Sequence, residues 1–167
     1  FAGGHTGTVL EQVLNTWLTG SVYAFEADPF FFSKLKKNVG HRNNVYLTRA
    51  PLWSEHGQTM TLHTRDGVGS QSSLFKPSEV SEAKWPWIMH SLKGGTKFQT
   101  KTASLEQFFA PFGVTKVDFV YLDVECAEFH ALQGMGALLD TVTFLHLEVY
   151  NEKLCEGGHI WPEVEKF

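Results

Sequence analysis

Val117-Asp-Phe-Val-Tyr-Leu-Asp123-Val-Glu125-Cys-Ala-Glu128 decides how this chain folds. An apolar, β-branched and aromatic run leads straight into three carboxylates, and a helical pattern starts directly behind them. Such a run reads as a buried strand followed by a crossover helix, the repeating unit of a parallel sheet. In open α/β sheets ligands bind in the crevice beyond the carboxyl ends of the strands. Carboxylates gathered at that edge are costly to desolvate, so they point to a binding partner. Asp123 and Glu125 are therefore the first candidates for chemistry.

The same rhythm extends outward. Val9, Leu10, Val13, Leu14, Trp17 and Leu18 recur at helical spacing, with Thr8-x-x-Glu11 as a capping box and Gly20 as the stop. Ser21 to Glu26 reads as a short buried strand ending in an acid. Asp28 then caps a second helix with Pro29 at its first position, Phe32, Leu35 and Val39 as its inner stripe, and Gly40 at its close. Asn44 to Ala50 is a third strand, so helices and strands alternate as in a parallel sheet.

Gln58 to Thr64 suits an added strand, and 65–97, with Gly67, Gly69, Pro77, Trp85-Pro86-Trp87 and Gly94-Gly95, shows no period. Residues 64–97 therefore read as an irregular insertion or lid. The β/α rhythm resumes with a strand at Lys97–Thr102 and a helix after the capping box Ser104-x-x-Gln107. Ala127 to Leu139 reads as one amphipathic helix, and Val142 to Tyr150 as a buried strand containing Glu148. No repeat or second domain is visible, so residues 1–167 read as a single domain.

Composition narrows the function. With 43% hydrophobic and 14% aromatic residues among 167, the chain can bury a core and is not a disordered segment. A net charge of −4 gives no footprint for nucleic acid, and Lys34, Lys36, Lys37 and Arg42 read as a solvated helix face. Two cysteines do not amount to a disulfide scaffold. The apolar runs are strand-length, so no membrane span is expected. The chain starts at Phe1 without a signal-peptide pattern and reads as a processed or truncated piece, with the cytoplasm as the default compartment and the oligomeric state open.

Three features align on one sheet edge. Gly3-Gly4-x-x-Gly7 leads into a helix N-terminus, where the backbone can approach a ligand closely and unpaired amides favour anionic groups. Glu26 ends the next strand, where a carboxylate accepts both hydroxyls of a ribose. Asp123 and Glu125 follow at the third position. Together they indicate a nucleoside ligand, although neither Gly-x-Gly-x-x-Gly nor a P-loop is present.

Metal chemistry is the rival. Cys126-x-x-x-His130 and Cys155-x-x-x-His159 repeat one spacing and offer four zinc ligands, although Cys126 is also explained as a small buried residue. Glu125 and Glu128 near Asp123 offer oxygens for a divalent cation, while helix-start acids are equally favoured by the dipole. His146, within a strand, reads as a core residue, and Trp85 and Trp87 as either sugar-stacking or loop-anchoring groups.

Phe-Ala-Gly-Gly-His-Thr-Gly, Val-Tyr-Ala-Phe-Glu-Ala-Asp-Pro, Thr-Ala-Ser-Leu-Glu-Gln-Phe-Phe, Val-Asp-Phe-Val-Tyr-Leu-Asp-Val-Glu-Cys-Ala-Glu and Phe-Leu-His-Leu-Glu-Val follow one another in order. In this the chain resembles the FkbM-type S-adenosylmethionine-dependent methyltransferases. The resemblance implies a Rossmann-like class I methyltransferase fold, a three-layer α/β sandwich with a mostly parallel sheet, here with its first and last strands missing. It places Gly3, Gly4, His5 and Gly7 around the methionine part of S-adenosylmethionine, Glu26 on the ribose, and Asp123 and Glu125 facing the methyl group and the acceptor. It implies methyl transfer to a hydroxyl of a sugar or small natural product, with no divalent cation expected. The family usually has an acid where Phe1 or Ala2 stands, Asn at His5 and Gly at Cys126. The competing expectation is a catalytically inactive binding or assembly module on the same fold.

Overall fold

A computed structural model describes residues 1–16, 19–64, 72–86 and 95–167. Its strands are β1 (Val22–Phe25), β2 (Val45–Thr48), β3 (Thr59–His63), β4 (Lys97–Lys101), β5 (Phe119–Leu122) and β6 (Phe144–Leu147). Its helices are α1 (Thr8–Thr16), α2 (Pro29–Val39), α3 (Glu79–Lys84), α4 (Leu105–Phe109), α5 (Glu128–Gln133) and α6 (Trp161–Val164).

Mixed α/β architecture is what the alternation predicts, and β1–β2 and β5–β6 are parallel pairs, Val22 opposite Val45 and Phe119 opposite Phe144. Ala2 bridges the two pairs, lying parallel to both Phe25 and Leu122. Its N–H donates to the Tyr121 carbonyl at 2.8 Å, and its carbonyl accepts from Asp123 N–H at 3.2 Å. The ends of β1 and β5 are thereby held one residue apart on either side of the glycine turn.

Strand alternation divides the core. Ala24 packs with Leu10 and Leu14 of α1 and Leu35 and Val39 of α2. Its neighbour Phe25 joins Leu52, Val120, Leu122, Leu132 and Met135 in a second cluster. Asp28 caps α2 through Phe30 N–H at 2.8 Å and Phe31 N–H at 3.3 Å, with Pro29 in the first turn, as its sequence demands. The buried stripe of α2 is Phe31, Leu35 and Val39, so Phe31 takes the inner place expected for Phe32.

Several local expectations give way to tertiary contacts. Thr8 is the first helical residue of α1 and not its cap, and Ser104 caps α4 without a side-chain bond. The expected helix 127–139 is divided into α5 and a 3-10 turn over Gly136–Thr141. Gly134 lies at the break because a Cβ there would meet the Trp53 carbonyl oxygen at 2.0 Å. β4 pairs antiparallel with β3, Thr59 opposite Lys101, so the parallel rhythm does not resume there. The half-buried alternation of Lys97–Lys101 is that of a one-sided strand, which an antiparallel partner suits. β6 is exposed where a buried strand was expected, with Phe144 65% and Leu145 45% accessible. An apolar run records a tendency to be covered, and of this strand only Leu147 packs against the core.

Cys126 and Cys155 form a disulfide, which removes the thiolates the zinc alternative needs. Trp17, Leu18 and Trp87, and most of the glycines expected between 65 and 97, lie outside the described residues. Among the described residues no helix is long and apolar enough to cross a membrane.

Candidate functional site

The glycine turn is built by close backbone contact. Gly3 and Gly4 N–H both donate to the Phe25 carbonyl, at 3.2 and 3.1 Å, which folds the turn over the end of β1. Gly3 has φ +80°, and a Cβ there would fall 1.8 Å from the Asp123 carbonyl oxygen. No side chain fits that position, so glycine is required for the turn to touch the end of β5. His5, also at positive φ (44°), donates its backbone N–H to Glu26 Oε2 at 2.6 Å. Its imidazole stacks on Phe31 at 4.1 Å, and burial followed by the Lys34 charge holds it below the ordinary histidine range. His5 thus serves the turn through its backbone. Gly7 lies behind the turn, its N–H on the Gly4 carbonyl at 2.7 Å, against Leu35 and Val39.

Glu26 is buried at the end of β1. Its Oε1 accepts from Asp28 N–H at 2.8 Å and its Oε2 from His5 N–H at 2.6 Å. Burial raises its pKa, while the backbone N–H groups of Asp28, His5 and Ala27 pull the other way. A carboxylate has about four lone-pair sites, so some acceptor capacity remains for a ligand hydroxyl.

At the end of β5, Asp123 Oδ2 accepts from the Tyr121 hydroxyl at 3.3 Å. Sequence reasoning did not place Glu148 here, because the link is long-range: parallel pairing of β6 carries Glu148 N–H onto the Leu122 carbonyl at 3.0 Å. Burial and a hydrogen bond with Asp123 push the Glu148 carboxyl above its ordinary range, and the Tyr150 hydroxyl donates to its Oε2 at 3.1 Å. Asp123, Glu125 and Glu148 each offer an oxygen within 4.8 Å of the others, so Glu148, not Glu128, is the third acid of this set. That spacing is open to a hard cation, although exposed acids commonly gather without one.

Glu128 turns inward instead. Its Oε1 accepts from Val124 N–H at 2.8 Å, and burial pushes its carboxyl up to about 7. Ser73 Oγ donates to the Glu125 carbonyl at 2.6 Å, and Ser72 Oγ to Asp28 Oδ2 at 2.9 Å. Glu125 and Cys126 both adopt positive φ, 53° and 77°, a backbone state costing about 1–3 kcal/mol per residue unless its surroundings impose it.

Gly3, Gly4, His5, Glu26, Asp123 and Glu125 line one cavity of about 210 Å³, and Gly7 does not. Pro51, Leu52, Leu62 and Leu74 supply its apolar wall, with Ser72 and Tyr121 beside them. Tyr121 and Leu62 lie on strands that the sequence marked, and Pro51 and Leu52 directly follow the expected strand Asn44–Ala50, whereas Ser72 and Leu74 come from a segment without a sequence signal. His130 stacks on Trp53 at 3.9 Å and His159 on Phe129 at 4.0 Å, which gives both rings packing roles. His146 is exposed and stacks on Tyr121 at 4.5 Å, so it is not a core residue.

A glycine turn, a buried strand-end glutamate and an acid cluster around one apolar-walled cavity are therefore features of the molecule. No solved structure matches the chain. Among characterised proteins it is similar to the 2-O-methyltransferase NoeI of Sinorhizobium fredii (strain NBRC 101917 / NGR234), 21% identical over 162 residues. The match covers 93% of this chain and 64% of that protein, so the chain spans less than two thirds of its relative. The methyltransferase FkbM domain model matches residues 2–167, nearly the entire length. On that match the chain belongs to the FkbM methyltransferase domain family.

Proposed function

We propose that this chain binds S-adenosylmethionine in the cavity between the glycine turn and Asp123, and directs its methyl group to a hydroxyl oxygen of a sugar or small natural product. The observation that carries this reading is Glu26: a buried carboxylate, fixed by backbone donors, that lines the same cavity as Asp123. A ribose diol matches its remaining acceptor capacity, and the apolar wall of Pro51, Leu52, Leu62 and Leu74 suits a flat base. The relative's 2-O specificity supports oxygen as the accepting atom. When bound, the cofactor supplies a methyl already activated by its sulfonium.

What the chain must add is alignment and a place for a proton. Glu148 is held toward its protonated form and shares a hydrogen bond with Asp123. Asp123 accepts the proton leaving the acceptor hydroxyl, at an Oδ atom next to the Tyr121 hydroxyl. Glu125 lines the same cavity on the acceptor side. A divalent cation has no necessary part in these steps.

Labelled methyl from S-adenosylmethionine, offered with a panel of sugars and polyols, is expected to appear in an oxygen-linked product. Asp123→Asn should lower the rate by about 10²-fold or more while the cofactor still binds. Label incorporation unaffected by Asp123→Asn would contradict its role as proton acceptor.

A further inference from the structure

Beyond the contacts of Asp123 already described, three ties hold the turn Asp123–Cys126 to the rest of the molecule. Glu128 Oε1 holds Val124 N–H at 2.8 Å, and Ser73 Oγ holds the Glu125 carbonyl at 2.6 Å. The third tie is the bond from Cys126 to Cys155, 29 residues on. Two successive residues at positive φ, Glu125 and Cys126, persist only where neighbours fix them. The far end of the bond is itself anchored. Cys155 bridges Pro77, Glu156 N–H donates to the Lys76 carbonyl at 2.8 Å, and Ser78 N–H donates to the Leu154 carbonyl at 2.9 Å. Only the covalent tie can be opened by chemistry from outside. Cys126 is buried, whereas Cys155 is half-buried and followed by exposed Glu156 and Gly157, so Cys155 is the more accessible of the two for an attacking thiolate.

We propose that the Cys126–Cys155 disulfide is a redox lock on the site turn: closed, it holds Asp123 and Glu125 in place, and opened by a dithiol reductant, it releases them. The lock rests on the methyltransferase reading above. In the opening step a thiolate of the reductant attacks Cys155 Sγ, the protein S–S bond breaks, and Cys126 Sγ leaves and takes a proton. The second thiol of the reductant then attacks its own sulfur in the mixed disulfide and frees Cys155 as a thiol. The protein disulfide gains two electrons and two protons, and the dithiol is oxidised to a cyclic disulfide.

The test compares oxidised, dithiothreitol-reduced and reoxidised forms of the intact chain by amide hydrogen exchange and by calorimetry with S-adenosylhomocysteine. Reduction should raise exchange at 123–126 by about tenfold, leave β1 and α2 unchanged, weaken S-adenosylhomocysteine binding several-fold, and reverse on reoxidation. Cys155→Ser should match the reduced form and ignore dithiothreitol; if it does not fold, the reversible wild-type comparison decides alone. Equal protection of 123–126 in both forms overturns the lock whatever the calorimetry gives, and so does loosening spread evenly over the chain. Absence of S-adenosylhomocysteine binding in both forms overturns the methyltransferase reading and the lock with it.

Discussion

Glu128 shows most clearly how one residue's surroundings set its role. In the sequence it is a helix-start acid, yet in the fold it is 3% exposed and accepts from Val124 N–H. Burial raises its pKa from 4.5 to about 7, so the folded state binds this proton more tightly than the unfolded state. The stability it contributes is fully present below pH 4.5 and is lost as pH rises through about 7, a change of at most about 3 kcal/mol. Glu128→Gln keeps the acceptor for Val124 N–H and removes the titration. Urea unfolding across this range should therefore show a shallower fall in stability for the variant than for the wild type, and parallel curves would refute the assignment. At this scale the sequence made the backbone-fixing residues legible: the need for Gly3 and the placement of Glu26 follow from turn and strand-end chemistry. Ser73 and Glu148 were not legible, because each reaches the site through a contact far along the chain.

Among elements, β1 and α2 form the best specified unit. Asp28-Pro29 starts the helix, Gly40 ends it, and the same Asp28 ties the helix start to Ser72 beside the cavity. Removing that carboxylate leaves Phe30 and Phe31 N–H without their cap. Asp28→Ala is expected to cost about 1–2 kcal/mol, measured by denaturant unfolding. A change within about 0.3 kcal/mol would mean the cap is replaced by water. Elements misread from sequence failed for a common reason. The helix 127–139 breaks where Gly134 passes the Trp53 carbonyl, and β4 turns back on β3, both decided by partners that periodicity cannot name. β6 carries an apolar pattern yet leaves Phe144 and Leu145 exposed, which pattern alone does not reveal.

Over the whole molecule, parallel pairing and the Ala2 bridge bring the glycine turn, the Glu26 strand end and the Asp123 strand end around one cavity. The order of these motifs pointed to a nucleoside ligand, and the chain belongs to the FkbM methyltransferase domain family. Each motif has a distinct duty in the proposed site: Glu26 holds the cofactor, and Asp123 serves the acceptor. Those duties separate in a binding experiment, because truncating a ribose-holding carboxylate removes ground-state affinity, while a proton acceptor acts chiefly in the transition state. The most direct measurement is S-adenosylhomocysteine affinity by calorimetry for the wild type, Glu26→Gln and Asp123→Asn. Glu26→Gln is predicted to weaken binding by about tenfold or more, and Asp123→Asn by less than about threefold. Undetectable binding by the wild type at millimolar ligand, or equal losses in the two variants, would contradict it.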